Sequence, residues 1–502
     1  MARKRHAPAA ARGSSASPNG EPGGALYLRI RDEFIGMITS GKLKDGSKLP
    51  TVRALAKERS INPMTVARAY RELAQFGFVV ARPGSGSFVS KAGRGSPNGR
   101  AQPPAEPSID PGGISSRLFE LARAPGVIAF TGNYPTVELS DAGTFARCLS
   151  ELLARGADDF FRYDPPAGRE ELREALLPFL GLQSIAMRAD DIIITSGGQQ
   201  GMDIVARHLL APGDRVVLEE PAYFGAINVV RAAGAVPIPM QFGPNGFDLD
   251  ELAQAIRKHD PRLIIINPTF HNPTGHSVPL EQRYGLLELA RNSGTPILED
   301  DHSPEIRFRG DPLPPLRALP GAEELVYYTR GFGKTFIPGV RLGFLLPRRS
   351  GLQGCLAIKA TTDLQSPALL QGALAAYLQQ TDWRAYLARL RARYGERQEQ
   401  LFEILTTTLG DYGRLSLPDG GLNLWLELSG AINVRDVYFN AVRRGVAFAV
   451  ADSFSFRPDR PSALRIAFGL TDPKDYAEGA RRLANVLRNV VSPQRALSSA
   501  VV

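Results

Sequence analysis

Cysteine is nearly missing from this sequence. The 502 residues include two, Cys148 and Cys355, far apart and in apolar settings. That excludes a disulfide framework, gives no metal cluster, and suits a reducing compartment such as the cytoplasm. Long apolar runs are missing too. None approaches the ~20 residues that span a bilayer, so no membrane segment is expected. The basic N-terminus leads into Ala, Pro, Gly and Ser without an apolar stretch, so no signal peptide is expected. Acidic charge is scarce in one region only. Residues 1–119 hold 19 Lys and Arg against 8 Asp and Glu, a net +11, whereas residues 120–502 hold 41 against 43. A basic module on a nearly neutral body points to a polyanion partner for that module alone.

The hydrophobic fraction of 43% is that of a soluble globular chain. The length is too great for one ordinary core, so two or more domains are expected. Residues 1–24 carry Arg3, Lys4, Arg5 and Arg12 among small residues and read as a disordered basic arm. Residues 25–90 read as a small domain. Leu26, Ile30, Phe34, Ile35 and Ile38 recur at helical spacing before Gly41. Two short amphipathic helices are expected over 51–59 and 63–76, joined by a tight turn at 60–62. Leu55, Ala56, Val66, Ala69, Tyr70 and Leu73 would form their shared core. Asn62 is placed to cap the second helix and Pro63 to open it. Its outer face offers Thr65, Arg68 and Arg71. The run FGFVVARPGSGSFV then reads as a two-stranded wing turning at 84–86. A helical hairpin for protein contact is the rival, and a net +6 on these 66 residues argues against it.

This stretch resembles the winged helix-turn-helix of the GntR family of bacterial regulators, through LPTVRALA, TVARAY and GSGSFV. The resemblance implies DNA contacts from Arg53, Thr65, its neighbour Arg68, and Gly86. Ala67 stands where some members carry a base-reading arginine, so the bases read are left open. Residues 91–117, rich in Gly, Pro and Ser, read as a linker.

From about residue 118 strands and helices alternate. Strands are expected over 191–196 (DIIITS), 214–219 (DRVVLE), 262–267 (RLIIIN), 296–301 (PILEDD) and 325–328. Each ends in small or polar residues, where open α/β sheets place ligands. After the first, Gly197 and Gly198 leave backbone N–H groups open to a phosphate. After the last, Lys334 can meet an aldehyde and form a Schiff base, and Arg341 can hold a phosphate by a bidentate contact. Singly, each motif is also an ordinary turn, cap or surface charge. An Arg-rich helix over 384–400 reads as a solvated face.

The joint order of these motifs resembles the fold-type I, class I/II aminotransferases over about 120–490. That resemblance implies a pyridoxal 5′-phosphate cofactor on Lys334, with Asp300 at the pyridine nitrogen and Asn272 at the ring 3′-oxygen. It implies Tyr223 stacked on the ring, and Gly198, Gln199 and Arg341 at the phosphate. Tyr163, in FRYDPPAG, would reach the neighbouring subunit's site, which implies a homodimer. Arg465, in ALRIAFG, would grip a substrate carboxylate. Two positions depart from the pattern. His302 stands near a common tyrosine, and Gly331 replaces a phosphate-binding serine, with Thr329 or Thr335 able to compensate.

The expected architecture is multi-domain. An α+β winged helix-turn-helix precedes an α/β fold-type I aminotransferase-like domain over 118–495 with a small C-terminal α/β subdomain. That arrangement is similar to MocR-type regulators. It implies a transcription regulator that binds promoter DNA and responds to pyridoxal phosphate or an amino compound. An active aminotransferase with a DNA-binding appendage is the alternative.

Overall fold

The structure, a computed structural model, describes residues 23–39, 41–75, 78–82, 85–90, 120–156, 160, 162–430, 432–457 and 461–498. The basic arm up to residue 22, the linker over 91–117, and the expected helix end at 76 and wing residue 84 lie outside these. The chain divides into two compact units, Met1–Ala92 and Gly93–Val502.

In the smaller unit, helix α1 (Gly23–Thr39) buries Ile30, Phe34, Ile35 and Ile38, the periodic apolar face of the sequence. Helix α2 (Val52–Glu58) starts at Thr51, whose hydroxyl accepts from Ala54 N at 3.2 Å. Such a cap satisfies one of the free N–H groups of a helix start, and its loss costs about 1 kcal/mol. Helix α3 (Pro63–Gln75) starts where Asn62 Oδ1 accepts from Met64 N at 2.8 Å. Leu55, Ala56, Val66, Ala69, Tyr70 and Leu73 are all buried between the helices, and Phe34 meets Tyr70 edge to face. Strands β1 (Val79–Arg82) and β2 (Gly86–Val89) pair antiparallel. Lys48 adds a bridge to Phe88. This is a winged helix-turn-helix.

The larger unit holds two sheets. The first has seven strands: β4 (Ile193–Thr195), β5 (Arg215–Glu220), β6 (Val236–Gln241), β7 (Leu263–Ile266), β8 (Ile297–Asp300), β9 (Val326–Gly331) and β10 (Gly343–Leu346). Their spatial order is β4-β10-β9-β8-β7-β5-β6. Only β10 runs against its neighbours. Strands β7 and β8 are buried throughout, as an apolar run covered on both faces requires. Because the other six strands share one direction, their C-terminal ends line one edge of the sheet.

The second sheet has the order β11-β12-β14-β13-β3. It is built from β3 (Ile128–Phe130), β11 (Gly413–Ser416), β12 (Asn423–Leu428), β13 (Val446–Val450) and β14 (Ala463–Ala467). Strand β3 pairs parallel with β13, and the other pairs are antiparallel. The small subdomain is therefore not wholly C-terminal. The chain starts it at β3, builds the large sheet, and returns. The expected Arg-rich helix spans Trp383–Leu409, burying Trp383, Tyr386, Leu387, Leu390 and Tyr394 and exposing Arg384, Arg389 and Arg393. Cys148 and Cys355 are buried free thiols. Among the described residues, no helix is long and apolar enough to cross a membrane.

Candidate functional site

Five parallel strand ends, those of β4, β5, β7, β8 and β9, deliver the site. Strand β4 runs into Gly197, which caps the following helix (Gly198–Leu209) at φ +97°, a conformation that favours glycine. A Cβ on Gly198 would stand 3.5 Å from Gly331 N and 3.6 Å from Asp300 Oδ1, so the helix start packs against the ends of β9 and β8. Arg341 itself lies in the left-handed region at φ 52°. Its Nη2 donates to Ser196 O at 3.0 Å, and a Cβ on Gly197 would be 2.9 Å from that nitrogen. A guanidinium therefore closes a cradle that opens on backbone N–H groups at a helix start. Gln199 Nε2 donates to Gly225 O at 3.1 Å, tying this cradle to the helix that begins after Tyr223.

Asp300 ends β8 and is buried. Burial first, then the neighbouring Asp301 and Glu219, push its carboxyl up to about 7, against the pull of Lys334. Asn267, just beyond β7, braces this end. Its Nδ2 donates to Asp300 O at 2.7 Å, and its Oδ1 accepts from Asn272 N at 2.7 Å. Its own N–H donates to Glu219 Oε1 at 2.9 Å. Asn272 Oδ1 in turn accepts from Arg465 Nη1 at 3.1 Å, while Arg465 Nη2 donates to Thr131 O at 3.0 Å. Arg465 is buried, and burial pulls its guanidinium down to about 10.

Lys334 follows β9 in a short turn. Burial, with Arg465 and Arg341 nearby, pulls its amine down to about 7, although Asp300 opposes this. Its Nζ donates to Asn133 Oδ1, in the loop after β3. Burial and the surrounding cations hold His302 neutral, with a value down to about 3. His302 Nδ1 bonds Ser303 Oγ at 2.6 Å, and its Nε2 is buried without a partner. Burial and Asp300 raise Tyr223 to about 12.

Gly198, Gln199, Tyr223, Asn272, Asp300, His302, Lys334, Arg341 and Arg465 thus gather at one edge of the large sheet. Tyr163 does not join them in this chain and is 86% exposed. Of the two hydroxyls able to offset Gly331, Thr329 is committed to Gly198 O and Phe344 O, at 3.3 and 3.4 Å. Thr335 Oγ1 is buried without a partner. A side chain at 331 would itself press to 3.0 Å on Gly198 N.

Sequence reasoning missed Asn133, Asn267 and Glu219. Glu219 and Asn267 had a signal, since each stands at the end of an apolar strand. Asn133 had none. Among the described residues, no group of three or more His, Cys, Asp or Glu suits a metal ion. In the smaller unit, Arg53 is exposed on α2, Thr65 is half-buried on α3, and Gly86 sits at φ +106° in the wing. Arg68 lies over the Tyr27 ring at 3.8 Å and donates to its hydroxyl at 3.0 Å.

Residues 130–483 match the family of class I and II aminotransferases, and residues 26–89 match the gntR family of bacterial regulatory proteins. The chain is 30% identical to a 2-aminoadipate transaminase of Thermus thermophilus, over 75% of this chain and 94% of that protein. It is 29% identical to the probable rhizopine catabolism regulatory protein MocR of Rhizobium meliloti, over 91% of this chain and 92% of that protein. Among solved structures, the Thermus thermophilus α-aminoadipate aminotransferase LysN, complexed with N-(5′-phosphopyridoxyl)-L-leucine, superposes with a TM-score of 0.70. That match has 29% identity and covers 73% of this chain and 94% of that one.

Proposed function

The chain belongs to the class I and II aminotransferase family, fused to a gntR-type DNA-binding domain, and we propose that it works as a pyridoxal phosphate-binding transcription regulator of the MocR kind. The observation that carries this is the pairing of both modules in one chain. The regulator relative matches across both, whereas the transaminase relative matches only the larger part.

The residues present fit the cofactor. The cradle of Gly198, Gln199 and Arg341 combines helix-start N–H groups with a guanidinium, which suits a phosphate dianion. Asp300 is a buried acid, raised chiefly by that burial and then by the neighbouring Asp301 and Glu219. A protonated ring nitrogen beside it would favour the carboxylate. Asn272 and the unpartnered Nε2 of His302 supply polar atoms for a ring oxygen, and Tyr223 supplies a face for stacking. When bound, the group brings an aldehyde that amines condense with and a ring that withdraws electrons. The protein's part is to bring the neutral form of Lys334 within reach near pH 7, to offer the Asp300 carboxyl to a ring nitrogen, and to hold Arg465 dry and oriented. A dry, doubly braced guanidinium is suited to a carboxylate. On this reading the signal is pyridoxal phosphate itself or an amino compound that carries a carboxylate.

DNA is bound by residues 25–90, with Arg53, Thr65 and Gly86 at the duplex and Arg68 released from Tyr27 to join them. The working form is a cytoplasmic homodimer in which Tyr163 reaches the second copy's phosphate cradle. The exposure of a tyrosine at 86% supports that role. A second reading, an active aminotransferase, is favoured by the complete set of Lys334, Asp300, Asn272 and Arg465. Turnover with amino donor and keto acid separates the two.

The test is a visible absorbance titration of purified protein with pyridoxal phosphate. We expect a band that Lys334→Ala abolishes. A band that survives Lys334→Ala would remove the assignment.

A further inference from the structure

The loop after β3 reaches the centre of the site from 201 residues away in sequence. It is seated by close packing and hydrogen bonds against residues 469–471. A Cβ on Gly132 would stand 2.9 Å from Leu470 Cβ, and one on Gly469 would stand 2.6 Å from Tyr134 O. Both glycines are therefore needed for the two segments to meet. Ala129 O accepts from Thr471 Oγ1 at 2.8 Å, and Thr131 O accepts from Arg465. Asn133, in this pinned loop, is 8% exposed. Its Oδ1 accepts from Lys334 Nζ, and this is the one hydrogen bond Nζ makes among the described residues.

We propose that Asn133 is a positioning residue for Lys334, holding one N–H of the amine so that the nitrogen lone pair faces the cofactor aldehyde. This rests on the reading of Lys334 as the cofactor lysine.

The chemistry selects an amide here. A carboxylate would hold the ammonium form and keep the lone pair occupied by a proton. A donor such as a hydroxyl could take the lone pair itself. An amide adds no charge, and with its Oδ1 turned to Nζ, as here, it accepts without donating to the lone pair. The charged and titratable groups facing Nζ come from separate elements. Arg465 on β14 and Arg341 push it toward the neutral form, Asp300 on β8 opposes them, and His302 stands nearby as a neutral ring. Capture of the aldehyde then forms a carbon–nitrogen double bond from the lone pair. Both amine hydrogens leave with the carbonyl oxygen as water, including the one that Asn133 held. A neutral hydrogen bond releases that hydrogen more readily than an ion pair would.

The experiment follows pyridoxal phosphate capture by the cofactor-free full chain, using stopped-flow visible absorbance across pH. Asn133→Asp is isosteric and adds one negative charge. Its pH midpoint for capture should rise by about one to three units. Repulsion of the phosphate, whose charge is complete above about pH 7, would slow capture there by one constant factor and create no midpoint at higher pH. Asn133→Leu should keep the midpoint within about one unit and slow capture at every pH. An unchanged midpoint in Asn133→Asp, with the band still abolished by Lys334→Ala, would overturn the proposal. So would an unchanged rate in a folded Asn133→Leu. A band that survives Lys334→Ala would instead overturn the underlying reading of the lysine.

Discussion

Lys334 is a basic group at a place that disfavours cations. Its value falls from 10.5 to about 7, chiefly through burial. The consequence for stability has a definite sign. Between about pH 7 and 10.5 the unfolded chain carries a proton that the folded chain lacks. The stability lost to this lysine is therefore greatest below pH 7 and recovers as pH rises toward 10.5. Lys334→Met should raise the melting temperature of cofactor-free protein, most at pH 6 to 7 and least near pH 10. Thermal melts at several pH values check this, and a pH-independent gain would mean that the amine is not desolvated. Arg465 belongs to the same scale. It is buried, and its two terminal nitrogens are spent on Asn272 and Thr131, which fix the plane of the guanidinium. Arg465→Lys keeps the charge and loses the fork. Charge-assisted hydrogen bonds contribute about 1.5–3 kcal/mol, so the affinity for a carboxylate-bearing amine should fall roughly tenfold to a hundredfold. Pyridoxal phosphate capture should persist. Equal loss of both would place Arg465 in the cofactor site instead.

Strand ends explain how much of the site was legible in the sequence. Gly198, Asp300 and Lys334 each follow an apolar run, so a period change and a polar residue mark them together. Asn272 and Arg465 were found through a resemblance, and the structure places them in hydrogen-bond contact across 193 residues of sequence. Asn133 follows a three-residue strand that enters a sheet made mostly of C-terminal strands. No local pattern reveals such a pairing. The pair of Arg330 and Glu305 was also invisible, because Arg330 lies beyond the expected strand at 325–328 and a charged residue there gives no sign of burial, yet it is buried. That ion pair, with Tyr328 donating to Asp301 Oδ2 at 3.0 Å, ties the segment after β8 to β9. It therefore fixes Asp300 and His302 relative to Lys334. Glu305→Leu would leave Arg330 buried without its carboxylate and should cost about 3–5 kcal/mol. Chemical denaturation followed through the larger unit's tryptophans, Trp383 and Trp425, measures this. A loss under about 1 kcal/mol would mean that water reaches Arg330.

At the scale of the whole molecule, two compact units share one chain, and each has its own core. Leu73 is fully buried in the smaller unit. Leu73→Ala removes packing worth about 2–5 kcal/mol, a large fraction of the stability of so small a domain. DNA binding should fail in this variant while the pyridoxal phosphate band remains. Loss of both would show that the units fold as one. Function requires more than coexistence, since a signal bound in the larger unit has to alter the affinity of the smaller one for DNA. Coupling between sites is typically about 1–3 kcal/mol, which is roughly 5- to 150-fold in affinity. The decisive measurement is therefore the affinity of the full chain for its own promoter DNA at fixed salt. It is taken without cofactor, with pyridoxal phosphate, and with pyridoxal phosphate plus each member of a panel of carboxylate-bearing amines. We expect at least a fivefold change in one of these states, absent in Lys334→Ala. Identical affinity in every state, while absorbance shows the cofactor and an amine bound, would contradict a ligand-tuned regulator.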